Sequence, residues 1–299
     1  MLDEKRGTHG AVMAGIAAHR ETRMTYATIM VSLASDQSNE HCLAVAREMV
    51  DRFEARAIGI AAAEFSPPLY FTSGDEADRL IEQGRSSIKE RLSELEVEFR
   101  KVMGRGSAQV EWRASMEPPL RFTAREARAA DIIMIGQSRS SAFTDPFARV
   151  SSSDLVMQAG RPLLVVPETA DWLDLRSVLV AWKDAPEARR AIVDSLPLLR
   201  KAKDVTVVEI IENRGTNDEA VKRVGDVVTW LSHHGIMASA LVPEHEGDAA
   251  AALDRVASNI GAGMVVAGAY GHSRLREWVL GGVTQHLATE SSRCVLLSR

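Results

Sequence analysis

The sequence predicts an α/β protein built from two tandem, doubly wound units, each with a five-stranded parallel sheet. Three observations carry this. Apolar runs rich in Val, Ile and Leu alternate with amphipathic segments along the whole chain. The order of elements in the first half recurs in the second at steady offsets. The length, 299 residues, suits about two domains of ordinary size. Strands without polar alternation fit burial on both faces, and strand–helix–strand crossovers are right-handed and give parallel neighbours.

The first unit opens with TYATIMVSLA (25–34), a β-rich run between polar residues. A helix is expected over 39–53, where Cys42, Leu43, Val45, Ala46, Met49, Val50 and Phe53 recur at helical spacing. Asn39 or Ser38 can cap it. AIGIAAA (57–63) reads as a buried strand. A long amphipathic helix follows over 75–103, with Leu80, Ile81, Ile88, Leu92, Leu95, Val97 and Phe99 among charges. AQVEW (108–112) is a strand, and 118–129 a helix with Pro118 at its start, where proline is tolerated. DIIMIG (131–136) is a strand, 152–159 a helix and PLLVVP (162–167) the last strand.

The second unit repeats this order: strand 177–182, helix 186–201, strand 204–211, helix 218–234, strand 237–242, helix 248–259, strand 264–268, helix 284–291 and strand 294–298. Gly136 and Gly268 are separated by the same interval as Pro162 and Cys294, whereas Ile29 and Val178 lie farther apart. The first unit is therefore longer by about 17 residues, placed between its second and third strands, where insertions lengthen loops and helices. The expected division is an extension over 1–24, a first domain over 25–169 and a second over 170–299.

Hydrophobic residues make up 45% and charged residues 26%, which allows each unit a core without staples. The net charge of −5, with acidic and basic residues interspersed, argues against nucleic acid as the main partner. No run approaches the about 18 apolar residues of a membrane span. Cys42 and Cys294 are the two cysteines, too few for a disulfide framework or a four-cysteine metal site, and both sit in apolar surroundings. They suit a reducing cytoplasm. AVMAGIAA (11–18) follows Lys5 and Arg6 like a short leader, but His19-Arg20-Glu21 stands in place of a cleavage region. Residues 1–23 read as a loose extension, with Met24 as an alternative start.

Ligands of doubly wound sheets bind beyond the carboxyl ends of the strands. The sharpest feature falls there, in GAYGHSRLREWVLGGVTQHL from Gly268. Gly268 ends a strand; Gly271, Gly281 and Gly282 follow, and a helix is expected from Thr284. Phosphates need unobstructed backbone N–H groups, which glycine exposes, and a helix N-terminus adds free donors and partial positive charge. Thr284 can cap that helix or bond a phosphate oxygen. Arg274 and Arg276 add positive potential, while Leu275, Trp278, Val279 and Leu280 can hold the loop on the core. Turn-making alone is the competing explanation for the glycines. No GxxxxGK[ST] loop and no full GxGxxG occurs.

Gly268-x2-Gly271-x9-Gly281, followed by Gly282, Val283 and Thr284, resembles the ATP-binding signature of the universal stress protein family. The resemblance covers about 25–167 and 175–299. It implies a flavodoxin-like, adenine-nucleotide-hydrolase-like fold and units paired through their last strands, 162–167 and 294–298, as an intramolecular pseudo-dimer. Homodimerisation of tandem chains is compatible with this. It implies ATP as ligand, with or without Mg²⁺, in a cytoplasmic stress-response or signalling protein. Ala267, Gly268, Gly271, His272, Gly281, Gly282, Val283 and Thr284 would then surround phosphates and ribose. Ala181, Trp182 and Lys183 would lie near ribose or base, and Ile210 would border the base. His272 is read equally as a plain loop contact. Lys183 stands where nucleotide-binding members usually carry Asp, with Asp184 next. Gly282 stands where they carry Ser or Thr, which removes a hydroxyl and leaves a backbone N–H.

The first unit departs further. In register, Arg139 and Arg149 replace the second and third glycines and Ala34 takes the place of the first-strand Asp. Bulky residues where close approach is needed predict a degenerate site; an anion site at these arginines is the alternative. Ser151, Ser152 and Ser153 can cap the following helix, and Ser138, Ser140 and Ser141 are candidate phosphorylation sites. His233 and His234 end a helix, where cations suit the dipole; with His245 and Glu246 they lack metal-ligand spacing.

Three functions follow. The first is one ATP per chain, held by the second unit. The second is a structural or interaction module of the same fold. The third, ranked lowest, is a slow ATPase or phosphotransferase, since no nucleophile–base–acid constellation is visible and Asp184 is the one carboxylate expected near the strand ends.

Overall fold

The computed structural model describes residues 25–66, 74–106, 108–137, 149–211, 217–244, 248–269 and 282–299. The first half carries β1 (Thr28–Ser32), α1 (Glu40–Phe53), β2 (Arg56–Ala62), α2 (Gly74–Met103), β3 (Val110–Ser115), α3 (Pro119–Glu126), β4 (Ile132–Gly136), α4 (Ser152–Gln158) and β5 (Leu163–Val166). The second half carries β6 (Ser177–Trp182), α5 (Pro186–Leu199), β7 (Asp204–Glu209), α6 (Asn217–His233), β8 (Ala238–Leu241), α7 (Ala249–Asn259), β9 (Met264–Gly268), α8 (Gly282–Thr289) and β10 (Cys294–Ser298).

The ten strands form one sheet in the order β3-β2-β1-β4-β5-β10-β9-β6-β7-β8. Within each half every pairing is parallel. The halves meet where β5 and β10 run antiparallel, with Val295 opposite Val165 and Leu297 opposite Leu163. This is the pairing through last strands that the sequence resemblance implied. Because the join is antiparallel, the carboxyl edges of the two half-sheets face opposite ends of the molecule.

Alternating strand residues sort to the two faces, as pleating requires. Ile29, Val31, Val178, Val180, Met264 and Val266 pack on one face with α1, α2, α5 and α6. Met30, Ile133, Ile135, Leu179, Val265 and Leu297 pack on the other with α3, α4, α7 and α8. Both clusters run through both halves, so the core is continuous across the join. Cys42 and Cys294 belong to it, and burial pushes both thiols up to about 12, away from thiolate chemistry.

The register refines the repeat. Ile29 pairs with Ile132 and Val178 with Met264, which matches the offsets read from sequence. Ala57 pairs with Val110 and Val205 with Ala238, and the chain between the first pair is much the longer. The insertion between the second and third strands slightly exceeds the net offset between the halves, because a longer connection between β8 and β9 partly masks it. Much of it lengthens a helix: α2 has 30 residues and α6 has 17.

Helix caps follow local chemistry only in part. The Ser151 hydroxyl accepts from Asp154 N at 3.3 Å and caps α4. Asn39 does not cap α1. Its side chain instead accepts from Ala34 N at 2.9 Å and donates to Ala34 O at 3.0 Å, closing the β1–α1 loop. β7 ends at Glu209, short of the sequence expectation, where Glu209 turns to a partner on α6.

Among the described residues no helix is long and apolar enough to cross a membrane. The expected extension over 1–24 lies outside the described residues.

Candidate nucleotide site at the second carboxyl edge

The second half-sheet presents its carboxyl edge through the ends of β6, β7 and β9. Ala181 pairs with Ala267, so Trp182 and Gly268 stand side by side as the next residues of adjacent strands. Trp182 also pairs with Glu209 across β7. The sheet divides the expected site residues between its faces. Ala181, Ile210 and Val283 pack against the cluster under α7 and α8, which includes Ala267. Trp182 packs against the cluster under α5 and α6.

The turn from β6 to α5 is short, only 183–185, so the first turn of α5 lies directly on β9. A Cβ on Gly268 would stand 2.6 Å from Ala188 N and 2.7 Å from Glu187 C, both backbone atoms that cannot swing aside. Glycine at 268 is therefore required by helix–strand packing. No side chain caps α5, and Ala185 precedes Pro186 at its start. Its first N–H groups and positive dipole end face this edge.

α8 begins at Gly282, earlier than expected. Thr284 is therefore inside its first turn and buried, not its cap. A Cβ on Gly282 would meet nothing within 4 Å among the described residues. Gly271, His272, Gly281, Arg274, Arg276, Leu275, Trp278, Val279 and Leu280 lie outside the described residues.

The Trp182 indole Nε1 is buried and has no hydrogen-bond partner among the described residues. A buried donor without an acceptor costs the desolvation of its N–H, about 1–3 kcal/mol, and such atoms call for a reason. It stands where β6 ends, beside Gly268.

Among the described residues three carboxylates lie at this edge, Asp184, Glu187 and Glu209, which corrects the expectation that Asp184 stands there alone; the Glu187 Cγ comes within 2.9 Å of where a Cβ on Gly268 would stand. Asp184 pairs with Arg189 at 2.6 Å, both half exposed. Glu209 is buried and takes Arg223 of α6 at 2.5 Å and 3.1 Å. That hydrogen bond raises the Arg223 pKa. A charged residue ending the apolar run DVTVVE marks Glu209 in the sequence, though not its partner. Asp184 and Glu209 are thus each held by an arginine.

The first carboxyl edge is built differently. Its β1–α1 loop is longer, 33–39, and is closed by the Asn39 side chain. Arg149, at the register position of Gly281, is bound to Asp36 with Nε 2.6 Å from each carboxylate oxygen. Together with Leu33, Ala34, Gln37, Gly136 and Val150 it lines a cavity of about 20 Å³, room for a single water. A Cβ on Gly136 would meet the flexible Gln37 Nε2 at 3.3 Å, so glycine is not demanded there as at Gly268. Arg139, Ser138, Ser140 and Ser141 lie outside the described residues.

His234 stacks on Trp230 with ring centroids 4.1 Å apart, at the end of α6. Among the described residues no group of three or more His, Cys, Asp or Glu could hold a metal ion. His245 and Glu246 lie outside them.

No family model matches the chain, and no curated protein matches it. Solved structures do. A universal stress protein from Archaeoglobus fulgidus DSM 4304 superposes with a TM-score of 0.68 at 13% identity, over 91% of this chain and 98% of that one. A functionally unknown protein from Pseudomonas aeruginosa PAO1 superposes with a TM-score of 0.54 at 12% identity, over 91% of this chain and 92% of that one. At these identities the likeness is one of fold. Along nearly its whole length the chain has the architecture of a universal stress protein structure.

Proposed function

We propose that this chain is a universal-stress-type protein that binds one adenine nucleotide, ATP with or without Mg²⁺, at the carboxyl edge of its second half. The observation that carries the reading is the unpartnered indole N–H of Trp182, buried beside Gly268 at the end of β6. A ribose or base acceptor would satisfy it. Ala181, Lys183 and Ile210 would then border ribose and base. Ala267, Gly268, Gly271, His272, Gly281, Gly282, Val283 and Thr284 would surround the phosphates. The start of α5 and Gly282 at the start of α8 would supply backbone donors and positive potential.

The proposed role is binding rather than turnover; of the carboxylates described at this edge, Asp184 and Glu209 are each engaged by an arginine. The bound nucleotide would act by favouring one conformation or one choice of partner, in proportion to its differential affinity.

One observation favours an interaction module without nucleotide: Gly268 is explained by α5 packing alone. Equilibrium binding of ATP, with and without Mg²⁺, separates the two. Saturable binding with one ATP per chain is expected, and a copurified nucleotide should appear when the protein is gently denatured for mass spectrometry. Absence of binding at millimolar ATP would leave the module reading standing.

A further inference from the structure

The second half holds a histidine whose surroundings specify its charge. His286 lies in α8, one turn beyond Gly282. Its Nε2 is 2.5 Å from Asp254 Oδ2 on α7, and its Nδ1 is 3.1 Å from Glu290 Oε2 at the end of α8. A carboxylate only accepts, so a ring with carboxylates on both nitrogens must donate from both. That species is the imidazolium, and its place in the last turn of α8 also suits a cation.

The other groups around it are consistent with this. Arg293, after α8, brings Nη1 within 3.9 Å of Asp254 Oδ1 and is itself held by Ala262 O and Ser258 Oγ at 2.8 Å each. α4, on the other flank of α8, carries Asp154 as its one ionisable residue. Beneath α8 lie buried apolar residues of the sheet, Val265, Ala267, Val295 and Leu297. Polar anchorage of α8 to α7 therefore passes through His286 and Asp254.

We infer that His286 is a positioning residue: as an imidazolium it straps α8 to α7 and holds the start of α8, with Gly282 and Thr284, in place to receive phosphate. The inference rests on the nucleotide reading above and adds a pH dependence to it. Burial disfavours the charged ring, but the hydrogen bonds and fields of Asp254 and Glu290 outweigh burial and raise the His286 pKa. A raised folded-state pKa means that the strap is complete below the ordinary histidine range and is lost as pH rises through the raised value. Above it one ring nitrogen turns a lone pair toward a carboxylate.

The test is ATP affinity across that pH window for the wild type and for His286→Gln, alongside thermal melts without ligand. The wild type should lose affinity by about fivefold or more as pH rises. The Gln variant should show a flat profile at the weaker, high-pH level. Without ligand, the wild-type melting temperature should fall over the same window and that of the variant should not. A flat wild-type affinity profile with ATP still binding overturns the positioning role, as does an unchanged slope in His286→Gln. A wild-type melting temperature indifferent to pH overturns the strap itself. No binding at any pH sinks the nucleotide reading and the positioning role with it, while the ligand-free melts still decide whether the strap exists.

Discussion

The two carboxyl edges of this molecule grow from the same strand order and end in opposite conditions. At the first edge a longer loop is tied shut by Asn39, and Arg149 reaches across to Asp36. At the second, a tight turn brings α5 down on Gly268, and a buried indole N–H is left without an acceptor. In register, Leu33 stands for Trp182 and Ala61 for Glu209, so the first edge has two aliphatic side chains where the second has an indole and a carboxylate. A repeated fold thus carries no guarantee of a repeated site. The difference resides in loop length and in a handful of side chains at strand ends, while the sheet beneath keeps its register.

The sharpest way to break this comparison is Gly268→Ala. Its methyl would press on the backbone of α5, and a loss of about 3 kcal/mol in chemical denaturation is expected. Next comes Trp182→Phe, which keeps the ring and removes the donor. ATP affinity should fall about tenfold, while stability without ligand stays within about 1 kcal/mol or improves, because an unsatisfied donor is gone. Equal affinity for both proteins would remove the indole from the site. Arg149→Gly should cost about 1 kcal/mol through loss of the Asp36 pair. It should leave the stoichiometry at one ATP per chain in calorimetry, since Asn39 and Leu33 still close the first edge. A second equivalent of ATP would show instead that Arg149 alone disables it. Smallest is Gly136→Ala, where Gln37 can move aside and the melting temperature should barely shift.

Much of the fold is legible because strand ends here are marked chemically. Ser177–Trp182, Met264–Gly268 and Cys294–Ser298 have the bounds that the sequence predicts, each an apolar run closed by polar residues or glycine. β7 is shorter than its sequence pattern, because Ile210 and Ile211 extend the apolar run after the chain has left the sheet at Glu209. The insertion is longer than the offsets imply, because a sequence offset reports only the net of two connections that differ in opposite senses. Asn39 looks like a cap because a cap and a loop tie use the same residue type. For the site, a glycine pattern points to the right edge, but nothing local tells that Gly268 answers to α5. Glu209 with Arg223, and His286 with Asp254, are invisible for the same reason. Each pair joins elements distant in sequence, and periodicity reports a residue's own face, not its partner on another element.

The antiparallel ladder between β5 and β10 has one more consequence. It gives a backbone with near two-fold symmetry a head and a tail. The second edge, with Trp182, lies at one end of the molecule, and the first, with the Arg149–Asp36 pair, at the other. At the first edge the Gln137 amide donates 2.9 Å to Ser291 O, just behind α8. The two ends therefore carry different chemistry, and a chain added end to end would count as oriented, like a plug with unlike pins.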